Sequence, residues 1–280
     1  MRIQRSMSAG NKGALLLSLV GTAILSLLPI SAHATVDWTE GFEYANDTAF
    51  GAVWSASCLG NPGISTDRAF SGSKSVKLVY RGAVGVDPGA GGCFMDRYLP
   101  AKSDTLYTRF YIYMENFTID QTGTKTTFQG QEGAYPSFWW GWNWGTPTLA
   151  VGVQGVILDN GVQDTQVVYG GTTPQNQWVC VELRTTMSSP GVDNGIVQQW
   201  INGTQTMNKT NQRMRSATLN QLNSPTAQFQ LARIYTQHGW GTIYYDDYAV
   251  SRDARIGCSG SPAPTGDITP PATPGGLLVR

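Results

Sequence analysis

The sequence is poor in the residues and motifs on which several common enzyme classes depend. It contains two histidines in 280 residues, and no H-E-x-x-H zinc motif, G-x-S-x-G nucleophile elbow or C-x-x-C pair. The E-x-D-x-x-E pattern of retaining glucanases is also missing. The sequence therefore gives no support to zinc, serine-hydrolase or single-strand carboxylate chemistry. A carboxylate pair assembled from different strands, Glu115 with Glu132 or Glu182, stays open.

Long apolar runs are confined to the N-terminus. A basic start at residues 2–12 precedes an apolar stretch at residues 14–30, and Ala32-His33-Ala34 then gives a small-x-small cleavage pattern. We therefore expect residues 1–34 to be a signal peptide of bacterial export, the mature protein to be secreted, and no membrane association after cleavage. An uncleaved membrane anchor is the alternative. His238 is then the only histidine of the mature chain.

Charge of either sign is scarce and balanced. Lysine and arginine together number 19, as do aspartate and glutamate. Arg2, Arg5 and Lys12 fall within the expected signal peptide, which has no acid, so the mature chain has 16 cations against 19 anions and a net charge of −3. A nucleic-acid-binding domain would show a basic stripe. We therefore expect no nucleic-acid partner, and we expect a monomer without an organic cofactor.

Helical signals are nearly absent, and short alternating runs separated by turn residues recur along the chain. In residues 107–114, for example, Arg109 and Tyr111 would lie on one strand face and Phe110 on the other. Many short strands without intervening helices predict an all-β fold. We expect a β-jelly roll, a concanavalin-like sandwich of two antiparallel sheets, over residues 35–258.

Four cysteines remain in the expected mature chain. An even number of widely spaced cysteines in an exported protein favours two disulfides. Of the three possible pairings we predict Cys58–Cys93 and Cys180–Cys258, because each links neighbouring parts of the chain.

The composition changes after Cys258. Residues 259–280 are rich in serine, proline, glycine and threonine and have no core-forming pattern. We expect a linker here. Its last residues, PPATPGGLLVR, are similar to the first strand of a fibronectin type III module, so we expect the natural chain, or a longer version of it, to carry another domain.

Several segments in order resemble the jelly-roll polysaccharide lyases, secreted enzymes that include glucuronan-, ulvan- and heparin-type lyases. GFEYANDTAFGAVW at 41–54 is similar to their opening strand, and ISTDRAFSGSKSVKLVYRG at 64–82 to the strand that follows. LYTRFYIYMENF, WVCVELRTTMSSPGVDNGIVQQWING and YYDDYAVSRDARIG resemble later strands. The resemblance implies a lyase that cleaves a uronate-containing anionic polysaccharide by β-elimination, with ulvan favoured and glucuronan next.

Eliminative cleavage needs a neutralised carboxylate, a base for the C5 proton and an acid for the leaving oxygen. The ulvan-cleaving members of the resembled family pair a lysine with a tyrosine, and the positions here that match best are Lys125 and Tyr244. Tyr244 would move the proton, and Lys125 would share the transfer or neutralise charge. His238, which alternation places in register with Tyr244, is a third catalytic candidate. We expect these residues to face one trough.

Other side chains on the same expected faces could hold the sugar chain. Arg109 and Gln129 would bind the carboxylate, and Tyr111 would lie beside Arg109. Trp139, in the run FWWGWNW, and Trp240 would stack on sugar rings. Each candidate also has an ordinary structural interpretation: a solvated lysine, a tyrosine that covers a sheet, a loop histidine, a stacking arginine or a tryptophan of the core.

Two carboxylates suggest a structural metal. In jelly-roll carbohydrate modules a Ca²⁺ ion often lies between the opening strand and the aspartate of the last strand, and Glu43 and Asp247 occupy the matching places. The resemblance therefore implies a calcium site at Glu43 and Asp247, with a pair of solvated carboxylates as the alternative. Asp246, expected on the opposite strand face, would not share this site.

The same double sheet also serves non-catalytic carbohydrate-binding modules. Such a module, attached through the tail to something larger, is the competing interpretation, and an adhesion domain is a third. One observable separates the first two, because only a lyase produces an unsaturated uronate.

Overall fold

Nearly all of the regular secondary structure in the described chain consists of antiparallel strands. The computed structural model describes residues 35–58, 60–81, 91–118, 124–131, 134–142, 148–157, 163–217 and 226–258, and the expected signal peptide and C-terminal linker lie outside them. The elements in chain order are β1 Val36–Glu40, α1 Asp47–Gly51, β2 Ser55–Ala56, β3 Gly63–Ser65, β4 Ser75–Arg81, β5 Gly91–Ser103, β6 Thr105–Thr118, β7 Thr124–Gln131, β8 Ala134–Trp142, β9 Thr148–Ile157, β10 Gln163–Thr172, β11 Trp178–Thr186, β12 Gly195–Ile201, β13 Thr204–Gln212, β14 Phe229–Gln237 and β15 Trp240–Ser251. Within these ranges, no helix combines the length and the apolar character needed to cross a bilayer.

The strands form two sheets that enclose one core. The eight-stranded sheet has the order β13-β12-β11-β6-β15-β4-β3, and β1 also pairs with β15. The seven-stranded sheet has the order β10-β9-β8-β7-β14-β5-β2. The main hydrophobic cluster contains side chains from both sheets. The predicted all-β jelly-roll sandwich is confirmed.

Alternation along β6 separates the core from the outer face of the eight-stranded sheet. Phe110, Ile112 and Met114 lie in the core, whereas Tyr111 and Tyr113 belong to a separate cluster outside it. Each large apolar side chain buried in this way contributes about 1.5–3 kcal/mol to stability. The predicted division of this strand into two faces is confirmed.

Trp140 connects the two sheets through the core. Its side chain is 1% exposed, and its Nε1 donates to Oε1 of Gln199 on β12 at 2.7 Å. A buried indole N–H needs such a partner, since leaving it unpaired costs free energy. The Gln199 amide in turn donates to the Gly170 carbonyl at 2.9 Å. At least one tryptophan of the run FWWGWNW is therefore a core residue.

A loop covers part of the outer face of the eight-stranded sheet. Residues 66–74, called the covering loop below, place Phe70 against Tyr111 with ring centroids 3.6 Å apart. The carboxylate of Asp246 accepts hydrogen bonds from the backbone N–H groups of Phe70 and Ser71 at 2.6 and 3.1 Å. Burial raises the pKa of Asp246 to about 7, although these hydrogen bonds act in the opposite direction. The loop is thus held by one stacked ring and one buried carboxyl group.

Both predicted disulfides are confirmed. The Cys58–Cys93 disulfide joins the segment that follows β2 to strand β5, and the two cysteines are 35 residues apart in the sequence. Cys180–Cys258 links β11 to residues 252–258, called the C-terminal segment below, across 78 positions. Arg255 strengthens this attachment, because its Nε donates to Oε2 of Glu182 on β11 at 2.9 Å. The C-terminal segment is therefore fixed on the outer face of the eight-stranded sheet.

Glu40 is a buried carboxylate that ties β1 to the rest of the sandwich. Its Oε1 accepts from the Phe42 backbone N–H at 3.0 Å. Its Oε2 accepts from the Tyr44 hydroxyl at 2.6 Å, Trp54 Nε1 at 3.1 Å and Arg97 Nη1 at 2.6 Å. Burial and the bond to this carboxylate raise the pKa of the Tyr44 hydroxyl well above its ordinary value. The buried charge is fully paired, as its burial requires.

We expect Glu40→Gln to lower the free energy of unfolding by about 3 kcal/mol, because it leaves the Arg97 guanidinium without its buried counter-charge. The matched control is Asp67→Asn, which removes an exposed pair with Lys77 and should cost about 1 kcal/mol or less. Urea denaturation followed by tryptophan fluorescence measures both. Equal losses in the two variants would contradict this role of Glu40.

Candidate functional site

The two residues predicted to form the catalytic pair belong to different sheets. Lys125 lies on β7 of the seven-stranded sheet, where its backbone pairs with Gln237 of β14 and Gly141 of β8. Tyr244 lies on β15 of the eight-stranded sheet, and its ring belongs to the cluster on the outer face of that sheet. The core separates this face from the seven-stranded sheet. The prediction that Lys125 and Tyr244 face one trough is therefore wrong.

The physical reason lies in the connection between β14 and β15. β14 ends at Gln237 in one sheet, and β15 begins at Trp240 in the other. Between them His238 and Gly239 have positive φ angles of 57° and 101°, which interrupt the extended backbone. A Cβ atom on Gly239 would lie 2.8 Å from an aromatic ring, so the turn needs glycine at this position. His238 is therefore a turn residue and is not in register with β15.

The surroundings of Tyr244 oppose a role as a base. Its hydroxyl donates to Oε2 of Glu115 at 3.2 Å, and Arg68 forms an ion pair with the same carboxylate. Burial raises the pKa of Tyr244, and the negative charge of Glu115 acts in the same direction. A phenol that removes a carbon-bound proton needs the opposite shift.

Arg109 and Tyr111 lie on the outer face that alternation predicted, but that face is covered. Arg109 is 8% exposed, and its guanidinium donates to the backbone carbonyls of Asp247 at 3.3 Å and Gly257 at 3.4 Å. Tyr111 is 3% exposed beneath Phe70. The prediction that both residues line an open groove is wrong, because the covering loop and the C-terminal segment occupy the space above them.

Gln129 and Trp139 lie in the seven-stranded sheet together with Lys125. The register places Gln129 of β7 opposite Ala232 of β14, and Trp139 of β8 opposite Phe128 of β7. The side chains of Lys125, Gln129 and Trp139 lie outside the described part of the structure. Their roles in catalysis and sugar binding stay predictions.

A polar cluster on the outer face of the seven-stranded sheet lies next to Lys125 in the strand order. Arg233 of β14 pairs with Asp96 of β5 through two hydrogen bonds, Nε to Oδ1 at 2.6 Å and Nη2 to Oδ2 at 2.7 Å. The guanidinium carbon also lies 4.1 Å from the ring centroid of Phe94. Tyr235 shares the strand face of Arg233, and Tyr98 shares that of Asp96. We call Arg233, Asp96, Tyr235 and Tyr98 the Arg233 cluster.

The groups around Arg233 favour its charged form. Burial would lower the pKa of Arg233, but the hydrogen bonds and charge of Asp96 outweigh it and raise that pKa. Tyr235 and Tyr98 contribute in the same direction, as phenols do when they lie close to a cation. Asp96 engages Nε and Nη2 of Arg233, so Nη1 is the terminal nitrogen that this pair does not use. The cluster therefore combines a fixed cation with two phenols.

The Arg233 cluster was missed by the sequence reasoning, although a local signal for it exists. In FQLARIYTQ, Leu231, Arg233 and Tyr235 alternate with Ala232 and Ile234. Ala232 and Ile234 lie in the core, so the polar side chains of this strand face outward. The alternation was as clear here as along β15, but which of the two strands pairs with β7 is not encoded locally.

The predicted calcium ligands both contact the covering loop. Glu43 accepts from the backbone N–H groups of Ser73 and Lys74 at 2.8 and 2.9 Å and from the Ser73 hydroxyl at 2.8 Å. Oδ1 of Asp247 accepts from the Ser71 hydroxyl at 2.7 Å. The carboxylate and hydroxyl oxygens in this region are of the type that Ca²⁺ prefers, so the donor chemistry fits a calcium ion.

The covering loop approaches Glu43 so closely that only glycine fits at residue 72. Gly72 has a φ of +62°, and a Cβ atom there would lie 2.2 Å from Oε1 of Glu43. Asp246 also contacts this loop, because the positive φ of 43° at Asp247 turns the backbone locally. That Asp246 would not share a calcium site with Asp247 stays a prediction.

Trp240 is the most exposed large hydrophobic residue of the described chain, at 55%. It begins β15 and pairs with Arg81 of β4 and Thr118 of β6. Tyr80, which precedes Arg81 in β4, lies in the core and pairs with Gly241. The next pair along, Trp240 and Arg81, therefore lies on the outer face of the eight-stranded sheet. Trp240 is therefore exposed, but it lies on a different sheet from Lys125, and its role in sugar binding stays a prediction.

Comparisons with known proteins bear on the fold. No protein-family model matches the chain, and no curated protein sequence matches it. Among solved structures, an endo-β-1,4-glucuronan lyase from the fungus Trichoderma reesei is similar with a TM-score of 0.51 at 12% identity, over 78% of this chain and 91% of that one. A marine PL-14 alginate lyase from Aplysia kurodai gives 0.53 at 14% identity, over 78% of this chain and 100% of that one.

A third similar structure has a name that states no activity. The cellulose-induced protein Cip1 gives a TM-score of 0.52 at 15% identity, over 79% of this chain and 100% of that one. Identities this low establish a shared architecture and leave the chemistry to the residues of the site. The chain therefore has the jelly-roll sandwich fold that polysaccharide lyases also use.

Proposed function

We propose that the protein is a secreted polysaccharide lyase that cleaves a uronate-containing anionic polysaccharide by β-elimination. The active site we propose is the outer face of the seven-stranded sheet, between β14, β7 and β5. The Arg233 cluster is the observation that carries this proposal, because it holds a cation and two phenols beside the strand of Lys125.

The position of Tyr235 relative to Lys125 supports a shared role. Gln237 is the backbone partner of Lys125, and Tyr235 lies two residues before it on β14. Diagonal neighbours on adjacent strands are about 7–8 Å apart, within reach of long and aromatic side chains. We therefore assign to Tyr235 the role that was predicted for Tyr244.

In this mechanism each group supplies one requirement of elimination. Nη1 of Arg233 and the Lys125 ammonium neutralise the uronate carboxylate, which makes the C5 proton more acidic. Tyr235, on the same strand face as Arg233, removes that proton. The electron pair then forms the C4–C5 double bond as the C4–O bond breaks, and Tyr235 or Lys125 protonates the leaving oxygen. Trp139 would stack on a sugar ring, and His238 would be a further proton carrier at the end of β14.

The substrate class follows from the charge of the site and from the names of two similar proteins. A glucuronan lyase and an alginate lyase share the fold, and both names refer to uronate polymers. Ulvan is the substrate that the sequence resemblance favours, with glucuronan next.

The alternative function is a non-catalytic carbohydrate-binding module, which the exposed Trp240 favours. Incubation with ulvan, glucuronan, alginate and heparin separates the two, because only elimination produces the ultraviolet absorbance of an unsaturated uronate.

We expect Tyr235→Phe to lower kcat at least 100-fold on the preferred polymer, because loss of a general acid or base costs about that much or more. Tyr244→Phe is the matched control, because it removes a tyrosine hydroxyl from the other sheet. It should leave kcat within about threefold of the parent, which corresponds to a change of at most ~0.6 kcal/mol in the activation free energy. The rise of ultraviolet absorbance measures both. The reverse order of effects would restore Tyr244 and reject Tyr235.

We expect Lys125→Ala to lower kcat/KM by at least ~100-fold, because the uronate carboxylate then keeps more of its charge in the transition state. Lys209→Ala, which removes an exposed lysine from the edge strand β13, should leave kcat/KM nearly unchanged. Both variants should keep the thermal midpoint of the parent. Full activity of Lys125→Ala would remove this lysine from the mechanism.

We also propose that Glu43 and Asp247 hold a structural Ca²⁺ ion at the covering loop. The Ser71 and Ser73 hydroxyls lie against these carboxylates and add oxygen atoms of the same type. The ion would fasten the loop to β15 and would take no part in elimination, because both carboxylates contact a loop on the outer face of the eight-stranded sheet.

We expect removal of calcium with a chelator to lower the thermal midpoint, and restored calcium to recover it. At a calcium concentration of 100 times Kd the added stability would be about 2.7 kcal/mol. Glu43→Gln should abolish the response to calcium, whereas Asp67→Asn, at the start of the same loop, should retain it. A thermal midpoint that is the same with calcium and with chelator would reject the site.

A further inference from the structure

Besides the proposed active site, one surface of the described chain combines an exposed indole with exposed cations. It lies on the outer face of the eight-stranded sheet, where β4 and β15 run side by side. Arg81, Val79 and Lys77 of β4 pair in turn with Trp240, Thr242 and Tyr244 of β15. We call these six residues, with Arg68, Asp67 and Glu115 beside them, the β4–β15 surface.

The two ends of this surface differ. At one end Arg81 and Trp240 are both exposed, and no hydrogen bond, ion pair or ring contact joins either side chain to another part of the structure described. At the other end Lys77 pairs with Asp67 at 2.6 Å, and Arg68 pairs with Glu115. The distance between the ends is four residues along a strand, or about 13 Å.

Aromatic rings continue beneath the paired charges. The Arg68 guanidinium carbon lies 4.3 Å from the ring centroid of Tyr113, and Lys77 Nζ lies 5.8 Å from that of Tyr244. These two rings form part of the buried outer cluster, so they give the surface a fixed floor. A ligand would therefore meet one exposed indole and a row of cations above two buried rings.

The balance of charge identifies the ligand that fits. Arg68, Lys77 and Arg81 are opposed by Asp67 and Glu115, which leaves one positive charge, and the unopposed cation is the one beside the exposed indole. A flat ring can stack on the apolar face of a sugar, and an arginine can bind a carboxylate or sulfate. Nucleic acid fits poorly, because the whole chain carries no excess of positive charge.

We infer that the β4–β15 surface is a second, non-catalytic binding site for an anionic polysaccharide, with Trp240 as the stacking platform and Arg81 as the acid-binding group. The choice of a uronate polymer as ligand rests on the proposed function. The site itself lies on the opposite sheet from the proposed active site, so one polymer strand could be held there while another is cleaved.

The test is native affinity electrophoresis in gels that contain glucuronan, with hydroxyethyl cellulose as the neutral polymer. Trp240→Ala should weaken retention by glucuronan about two- to tenfold, as expected for loss of one stacked ring. Trp240→Phe should keep much of the retention, because a ring remains. Arg81→Ala should weaken retention by glucuronan about two- to fivefold and have little effect in the neutral gel. Added salt should shrink the Arg81 effect.

The matched control is Lys209→Ala, which removes one exposed cation from the far edge of the same sheet. It should bind glucuronan like the parent, and all variants should keep the parent's thermal midpoint and its turnover of short oligosaccharides. The inference fails if the parent does not bind glucuronan, if Trp240→Ala and Arg81→Ala bind like the parent, or if Lys209→Ala is equally weakened. All binding is measured on the Tyr235→Phe background, in which cleavage of the gel polymer should be at least ~100-fold slower. Absence of lyase activity in the parent together with this binding pattern would reject only the proposed function.

Discussion

The chain changes sheets between β14 and β15, and this crossing determines which side chains can act together. Gln237 ends one strand in the seven-stranded sheet, and Trp240 begins the next in the eight-stranded sheet. The residues between them, His238 and Gly239, adopt left-handed backbone angles that a continuous strand excludes. Side chains of β14 can therefore share a face with Lys125, whereas those of β15 belong to the other sheet, beyond the core.

Buried carboxylates hold several segments of the chain to the sandwich. Glu40 joins β1 to Arg97, Asp246 holds the covering loop, and Glu182 holds Arg255. Each is matched by backbone N–H groups or a guanidinium, which is the condition for keeping a charged group out of water. Asp96 belongs to the same class and pairs with Arg233 through two hydrogen bonds, as Glu182 does with Arg255. The Asp96–Arg233 pair differs in its position, because β14 is the strand next to that of Lys125.

Local alternation allowed much of the fold to be predicted. The two faces of β6 and the two cysteine pairs were predicted correctly, because side-chain direction and disulfide topology depend on short-range patterns or on few alternatives. The choice between Tyr244 and Tyr235 was different. Both lie on strands of equally clear alternation, and only the long-range pairing of β14 with β7 distinguishes them.

The covering loop also shows what local strand patterns cannot predict. Arg109 and Tyr111 face outward on β6 as predicted, yet a loop from a distant part of the sequence and the C-terminal segment lie above them. A strand pattern states which side of a sheet a residue faces and contains no information about what covers that side. The positive φ of Asp247, which brings Asp246 and Asp247 to one loop, was equally invisible in the pattern.

The Cys180–Cys258 bond determines how the protein would be oriented when it is attached to a support through its C-terminal end. The polypeptide departs from Cys258 on the side of the sandwich that faces away from Lys125 and Arg233. A bead, electrode or fusion partner joined through residues after Cys258 would therefore be anchored at the rear of the proposed active site. Immobilised in that orientation, the protein would present its seven-stranded sheet to the bulk solution, where a large polymer can approach it.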